Sequence, residues 1–211
     1  NVTIDTDPDY VGLPPSYSNL PSSYNLNPTP GQTSFNPHVS FLNDVYKQAD
    51  GPLLKARLLS AAEVHFILAE AALKGWSAGS AQTHYEEAIK ESFATWQISS
   101  AYATYMQGNL AAFDGTLQQL ITQKWIASWT AATEAWFDYR RTGYPMLQAG
   151  NVAIRKALPL RFYYMQEELN MNGEHAQEAI DRLGITNYSQ ADGKNSAWSK
   201  FWLLQDTNVP Y

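Results

Sequence analysis

Apolar residues fall without a period over residues 1–52 and with a helical period after them. Gly12-Leu13-Pro14-Pro15-Ser16-Tyr17 and Asn27-Pro28-Thr29-Pro30-Gly31 read as turns and extended coil. Proline fixes φ, removes a backbone donor and drives the preceding residue out of the helical region. Eight of the eleven prolines lie in this stretch. It also holds Tyr10, Tyr17, Tyr24, Phe35, Phe41 and Tyr46, more aromatic surface than a solvated tail carries. The segment therefore reads as an extended lead-in laid over a folded body, with one or two short strands.

Beyond Pro52, Val64, Ile67, Leu68, Ala71 and Ala72 recur at helical spacing and predict a helix over residues 58–75 that ends near Gly75. A turn over Trp76–Ser80 leads to a second helix with Ala81, Tyr85, Ala88, Ile89, Ser92, Phe93 and Trp96 on one face. The resulting hairpin, residues 58–96, has the spacing of a tetratricopeptide unit, with small residues at Ala69, Ala81 and Ala88 where two backbones would meet. Such a unit is stabilised by neighbours, and no second one follows at a 34-residue offset. Either other helices cap it or its neighbours precede Asn1. Leu117, Leu120, Ile121, Lys124, Trp125 and Ser128 predict a third helix reaching about Thr130, and a fourth spans Glu134–Thr142 and stops at Gly143 and Pro145. Pro159 interrupts the next stretch, Asn170–Gly173 reads as a turn, and Glu174–Leu183 as a short helix stopped by Gly184. The fold class is mostly α: a tetratricopeptide-like hairpin plus further helices, with a loop-rich, proline-rich N-terminal segment. The domain reading is one unit over 1–211, with lead-in 1–52, helical body 53–185 and aromatic coil tail 186–211.

Composition narrows what such a body does. Charged residues are only 16% of the chain and aromatics 13%, so surface contacts rest on Asn, Gln, Ser, Thr and Tyr and suit neutral ligands. The net charge of −6, without any Lys/Arg run beyond a pair, opposes nucleic-acid binding, which needs a basic stripe to displace counterions. With no cysteine there is neither a disulfide nor a thiolate metal site. No apolar run approaches the roughly 20 residues of a membrane span. The chain starts at Asn1 without a signal-peptide pattern, and the expectation is a portion of a longer protein.

Catalytic motifs are missing. His38, His65, His84 and His175 show no short metal-ligand spacing and read as surface or capping histidines; no metal or cofactor is expected. There is no G-x-S-x-G elbow and no glycine-rich phosphate cradle. Glycoside hydrolysis would need two carboxylates, drawn from Glu63, Glu70, Glu134, Asp138, Glu167 and Glu168. Glu134 and Asp138 share a helix face at i, i+4, but Lys124, Arg140 and Arg141 are close by and ion pairing explains these acids without an enzyme. Trp96, Trp125, Trp129 and Trp136 sit on helices and read as packing. Trp76, Trp198 and Trp202 lie in a turn and in the tail, where a flat ring either covers a helix end or stacks on a sugar or peptide.

The segment Gln123-Lys124-Trp125-Ile126-Ala127 … Glu134-Ala135-Trp136-Phe137-Asp138-Tyr139-Arg140-Arg141-Thr142-Gly143-Tyr144-Pro145 closely resembles the signature of SusD/RagB-like outer-membrane nutrient-binding proteins. Three more blocks agree in order: Ala62-Glu63-Val64 … Leu68-Ala69-Glu70-Ala71-Ala72 … Gly75-Trp76; Tyr85 … Ala88-Ile89 … Ser92 … Trp96; and Leu158-Pro159-Leu160-Arg161 … Tyr164 … Glu167 … Asn170. The match covers about residues 38–203. Met165 stands where the family usually shows proline, and Ala197–Trp202 only loosely follows the tryptophan-rich ending. The resemblance implies a surface-exposed lipoprotein of the Bacteroidetes outer membrane, anchored through a lipidated cysteine this chain does not contain. It implies a non-catalytic role: carrying oligosaccharide, or in some members peptide, to a SusC-like TonB-dependent transporter. The chain corresponds to the C-terminal portion, so the missing N-terminal half of the same protein is itself an expected partner, and a fragment serving mainly as a transporter-docking scaffold is the alternative. Ligand aromatics in the family sit on variable loops without a transferable motif. The ligand-binding candidates are accordingly Tyr17, Tyr24, Trp76, Trp198 and Trp202, while the signature aromatics and the Arg140–Arg141 pair read as helix packing and ion-pair scaffolding.

Overall fold

The computed structural model describes residues 42–49, 51, 53, 55–150 and 152–211. Tyr17, Tyr24 and the short strands expected in the lead-in lie outside them. The chain divides into two compact units, residues 1–54 with 147–159, and residues 55–146 with 160–211. In the first, Asn43 caps a 3-10 turn over Asp44–Tyr46 by accepting the Val45 N–H at 3.0 Å, and Lys156 Nζ donates to the Gly150 carbonyl at 2.9 Å.

The second unit carries the helices. α1 (Ala61–Leu73) and α2 (Ala81–Thr95) start where the chain supplies a hydroxyl cap: Ser60 Oγ accepts the Glu63 N–H at 3.1 Å, and Ser80 Oγ the Thr83 N–H at 3.3 Å. Each cap satisfies one of the donors a helix start leaves free, a contribution of about 1 kcal/mol. Gly75, at φ +79°, takes the left-handed conformation that turns the chain after α1. The two helices pack as the expected hairpin through Phe66, Ala69, Tyr85, Ala88 and Ile89, all buried. α4 (Leu117–Ala127), capped by Thr116, closes the core from the other side with fully buried Leu120 and Ile121. Burying each such side chain is worth about 1.5–3 kcal/mol against leaving it exposed. Tyr85 runs edge-on to Phe66, and its hydroxyl donates to the Ala111 carbonyl at 2.9 Å, tying the loop before α4 to the hairpin. α5 (Ala132–Thr142) packs on α4 and ends at Gly143, whose φ of +78° is the left-handed cap its sequence signals.

Several expectations shift. A short helix α3 (Tyr102–Met106) follows α2. Its Tyr105 packs on Phe93 at 5.0 Å between ring centres, a contact between helices that no period within five residues displays. A further short helix, α6 (Gln166–Met171), takes in Asn170 and Met171, so the turn starts only at Asn172, before α7 (Gly173–Asp181). Trp125 and Trp129 are 40% and 47% exposed, so their packing is partial. Trp96 is buried as expected, with Arg57 over its ring at 4.2 Å and the Trp129 ring 4.9 Å away. Among the described residues there is no strand; Gly184 and Lys200 form an isolated antiparallel bridge that folds the tail onto the end of α7. The tail is held by polar contacts: Asn195 bonds the Tyr164 backbone in both directions, and Leu160 N–H donates to Ala197.

Candidate functional site

Three helices bring their charged residues to one place. α1 supplies Glu63 and Glu70, α4 supplies Lys124, and α5 supplies Asp138 and Arg141. Lys124 Nζ lies 2.8 Å from Asp138 and 3.8 Å from Glu63, with its own side chain 7% exposed. Arg141 forks onto both oxygens of Glu70 at 2.5 Å and also reaches Asp138 through Nε at 2.9 Å. Lys74 adds a 2.8 Å contact to Glu70 from the end of α1. Burial disfavours the charged form of Glu70, but the bonds and charges of Arg141 and Lys74 outweigh it and hold the carboxyl down to about 2. The same pairing pushes the Arg141 guanidinium up. Burial pushes Glu63 up; Lys124 opposes this, and the neighbouring charges of Glu134 and Asp138 reinforce it.

Outside this lattice the surface opens into a cleft of about 360 Å³, whose walls include Ile67, Lys74, Trp76, Glu134, Phe137 and Arg141. Trp76 is 69% exposed, Ile67 49% and Phe137 42%, so an aromatic and aliphatic rim surrounds a floor of ion pairs. Phe137 also belongs to a ring cluster built around Arg140. The Arg140 guanidinium lies 4.2 Å from the Trp136 ring centre, 4.8 Å from Phe137 and 5.3 Å from Phe201. One Nη donates to the Leu160 carbonyl at 3.1 Å, while the buried Nε meets ring faces instead of an acceptor.

A second cleft, about 820 Å³, lies beneath the loop between α3 and α4 and is lined largely by uncharged polar residues, among them Thr104, Asn109, Gln118 and Gln119. Its shape is held by Gln119, which bonds the Ala112 carbonyl at 2.5 Å, and by Gln123, which accepts the Tyr105 hydroxyl at 2.7 Å.

Of the aromatic candidates from sequence, Trp76 stands on the rim of the first cleft. Trp202 is 77% exposed on a 3-10 turn, Trp202–Leu204, and Trp198 is half-buried, its carbonyl accepting from Thr186 at 2.9 Å. Neither lines either cleft. Ile67, Lys74 and Phe137 join Trp76 there although none was singled out for a site; the exposure of Ile67 and Phe137 depends on what does not cover them, which no spacing reports. Glu70, Asp138 and, at 3.8 Å, Glu63 are ion-paired as the ion-pair reading expects. Asp138 is held by two cations, Glu70 by two, and Glu167 and Glu168 sit on α6. Among the described residues no cluster of three or more His, Cys, Asp or Glu could hold a metal ion.

Residues 7–165 match the family model SusD-like, described as starch-binding and associating with the outer membrane. That match reaches into the proline-rich lead-in, further toward the N-terminus than the sequence blocks did. Solved structures agree. A Bacteroidetes SusD-like protein is 30% identical over 67% of this chain and 29% of its own, with a TM-score of 0.58. A SusD homologue from Bacteroides fragilis is 29% identical over 68% of this chain and 34% of its own, with a TM-score of 0.56. A chitin-binding SusD homologue from Flavobacterium johnsoniae is 29% identical over 72% of this chain and 37% of its own, with a TM-score of 0.57. The chain thus spans about a third of the length of these structures. No curated protein matches it.

Proposed function

The chain belongs to the SusD-like family, and from that membership we propose that it is part of a non-catalytic protein that binds oligosaccharide at the bacterial outer surface and passes it to a TonB-dependent transporter. The observation that carries the binding half is the exposed Trp76 ring beside a cleft floored by the Arg141–Glu70 and Lys124–Asp138 ion pairs. A flat exposed ring stacks on the apolar face of a sugar, and the ion pairs already engage Glu70 and Asp138, two of the acids a hydrolase would need free. Chitin binding by the Flavobacterium johnsoniae homologue favours a glycan as the ligand. Association of the family with the outer membrane favours a surface location, and no helix among the described residues is long and apolar enough to cross a membrane.

Calorimetry against a panel of neutral oligosaccharides and peptides tests this. We expect a glycan to bind and Trp76→Ala to weaken it about tenfold, the worth of one stacked ring, with no change in the unfolding midpoint because the ring is exposed. Binding of peptides with silence across all glycans overturns the ligand class. Unchanged glycan affinity in Trp76→Ala removes this cleft from the reading and leaves Trp198, Trp202, Tyr17 and Tyr24 as the remaining aromatic candidates.

Exposed Leu58, Leu59, Val64 and Ile67 favour a docking role for the outer face of the hairpin as well. The surfaces proposed to meet it are the transporter or the remainder of a longer chain. Co-purification that survives in wild type and is lost in Val64→Glu with Ile67→Glu supports that role; co-purification unaffected by the pair of charges removes it.

A further inference from the structure

We propose that His65 and His84 form a two-histidine site for a divalent transition-metal ion, separate from the capture of a nutrient. The two residues stand 19 apart in sequence, one on α1 and one on α2. Packing of the hairpin brings their Nδ1 atoms to 3.1 Å, with ring centres 5.3 Å apart and planes inclined at 33°.

The protonation pattern follows from the partners. His84 Nε2 lies 2.8 Å from the Ala78 carbonyl, which can only accept, so that nitrogen carries the hydrogen. In the neutral ring the proton is then absent from His84 Nδ1, which presents a lone pair toward His65, and His65 Nδ1–H donates into it. A ring whose far N–H is fixed by a backbone carbonyl, leaving the near nitrogen's lone pair to face a second imidazole, is the arrangement metal-binding histidines are given by their surroundings.

The spacing fits as well. With metal–nitrogen bonds of about 2.0–2.1 Å, two nitrogens 3.1 Å apart subtend roughly 100° at the metal. That lies between the roughly 90° of neighbouring square-planar ligands and the roughly 109° of tetrahedral ones. The ion would sit off the line between the nitrogens, and the His65 proton would move through solvent from Nδ1 to Nε2 of the same ring, so that both ligating imidazoles stay neutral. Imidazole pairs suit copper, nickel and zinc, with copper held most tightly. Among the described residues no third histidine, cysteine or carboxylate completes the set, so the remaining positions fall to water. Because both rings are half-buried between helices that pack on each other, an ion there also clamps the hairpin.

The test uses the full chain freed of metal with a chelator and titrated with Cu2+ and Zn2+. We expect one Cu2+ bound per chain, with an electron paramagnetic resonance spectrum split by two imidazole nitrogens. Saturating metal should raise the unfolding midpoint by roughly 5 °C. His65→Gln and His84→Gln should each weaken Cu2+ at least about tenfold, while His175→Gln, exposed beside Glu178, and His38→Gln should bind as wild type does. A one-nitrogen spectrum, no binding up to about 1 mM metal, or affinity unchanged in both His65→Gln and His84→Gln overturns the proposal. The wild-type spectrum decides the matter even if a variant folds poorly, and none of these outcomes depends on whether a glycan binds.

Discussion

Replacing Glu70 with glutamine removes the carboxylate on which α1 and α5 are joined. Glu70 accepts two bonds from Arg141 at 2.5 Å and one contact from Lys74 at 2.8 Å, and its side chain is 9% exposed. Its carboxyl is held at about 2, against an ordinary value of 4.5. At about 1.36 kcal/mol per tenfold, that gap corresponds to ~3 kcal/mol of stabilisation at neutral pH. Arg141 and Lys74 are 38% and 48% exposed, so water already screens part of the attraction. We expect Glu70→Gln to cost about 2 kcal/mol after that discount. A carboxyl with a depressed folded value contributes fully above its unfolded value, because below it the unfolded chain takes up the proton first. The cost should therefore be constant above about pH 5 and shrink toward zero between about 4.5 and 2. Urea unfolding of wild type and variant at about pH 7, 4 and 3 measures it. A loss of the same size at every pH, or one below about 0.5 kcal/mol at neutrality, would falsify the claim that this ion pair joins the helices.

Lys124→Met keeps the volume of the buried chain but leaves Glu63 without a cation and Asp138 with Arg141 alone. The expected loss is about 3–5 kcal/mol at neutral pH, recovering in part as the pH falls through the carboxylate range, and chemical denaturation at two pH values reads it. Gly143→Ala should cost about 1 kcal/mol, because φ is +78° while an added Cβ would meet Val209 only at an ordinary 3.5 Å. A thermal midpoint equal to wild type would mean the cap relaxes without strain.

Some of the lattice was legible in the sequence. Lys124 and Arg141 answer the ion-pair reading, whereas Arg140, placed in the same scaffolding by its sequence, lies over the Trp136 and Phe137 rings instead; Arg141 and Asp138 lie within one helical turn at i, i+3. The partner of Arg141 on α1, 71 residues earlier, was not legible, since nothing in local spacing says which helices will touch. The partial exposure of Trp125 and Trp129 has a related cause. A period tells which residues share a face, whereas burial depends on whether another element covers that face, and here none among the described residues covers it fully.

The sequence by itself determined the helical class, the hairpin, the stop at Gly143, and membership of the family. These rest on local backbone preferences and on motifs a few residues long, which act wherever the chain goes. Only the tertiary structure decided that Trp76 shares a cleft with Ile67 and Phe137, that Glu70 answers Arg141, and that His65 meets His84. Each of these is a contact between separate helices, set by how α1, α2, α4 and α5 pack around Phe66, Tyr85, Leu120 and Ile121. Packing of that kind depends on the volumes of all its members at once, and no single stretch of the chain carries that information.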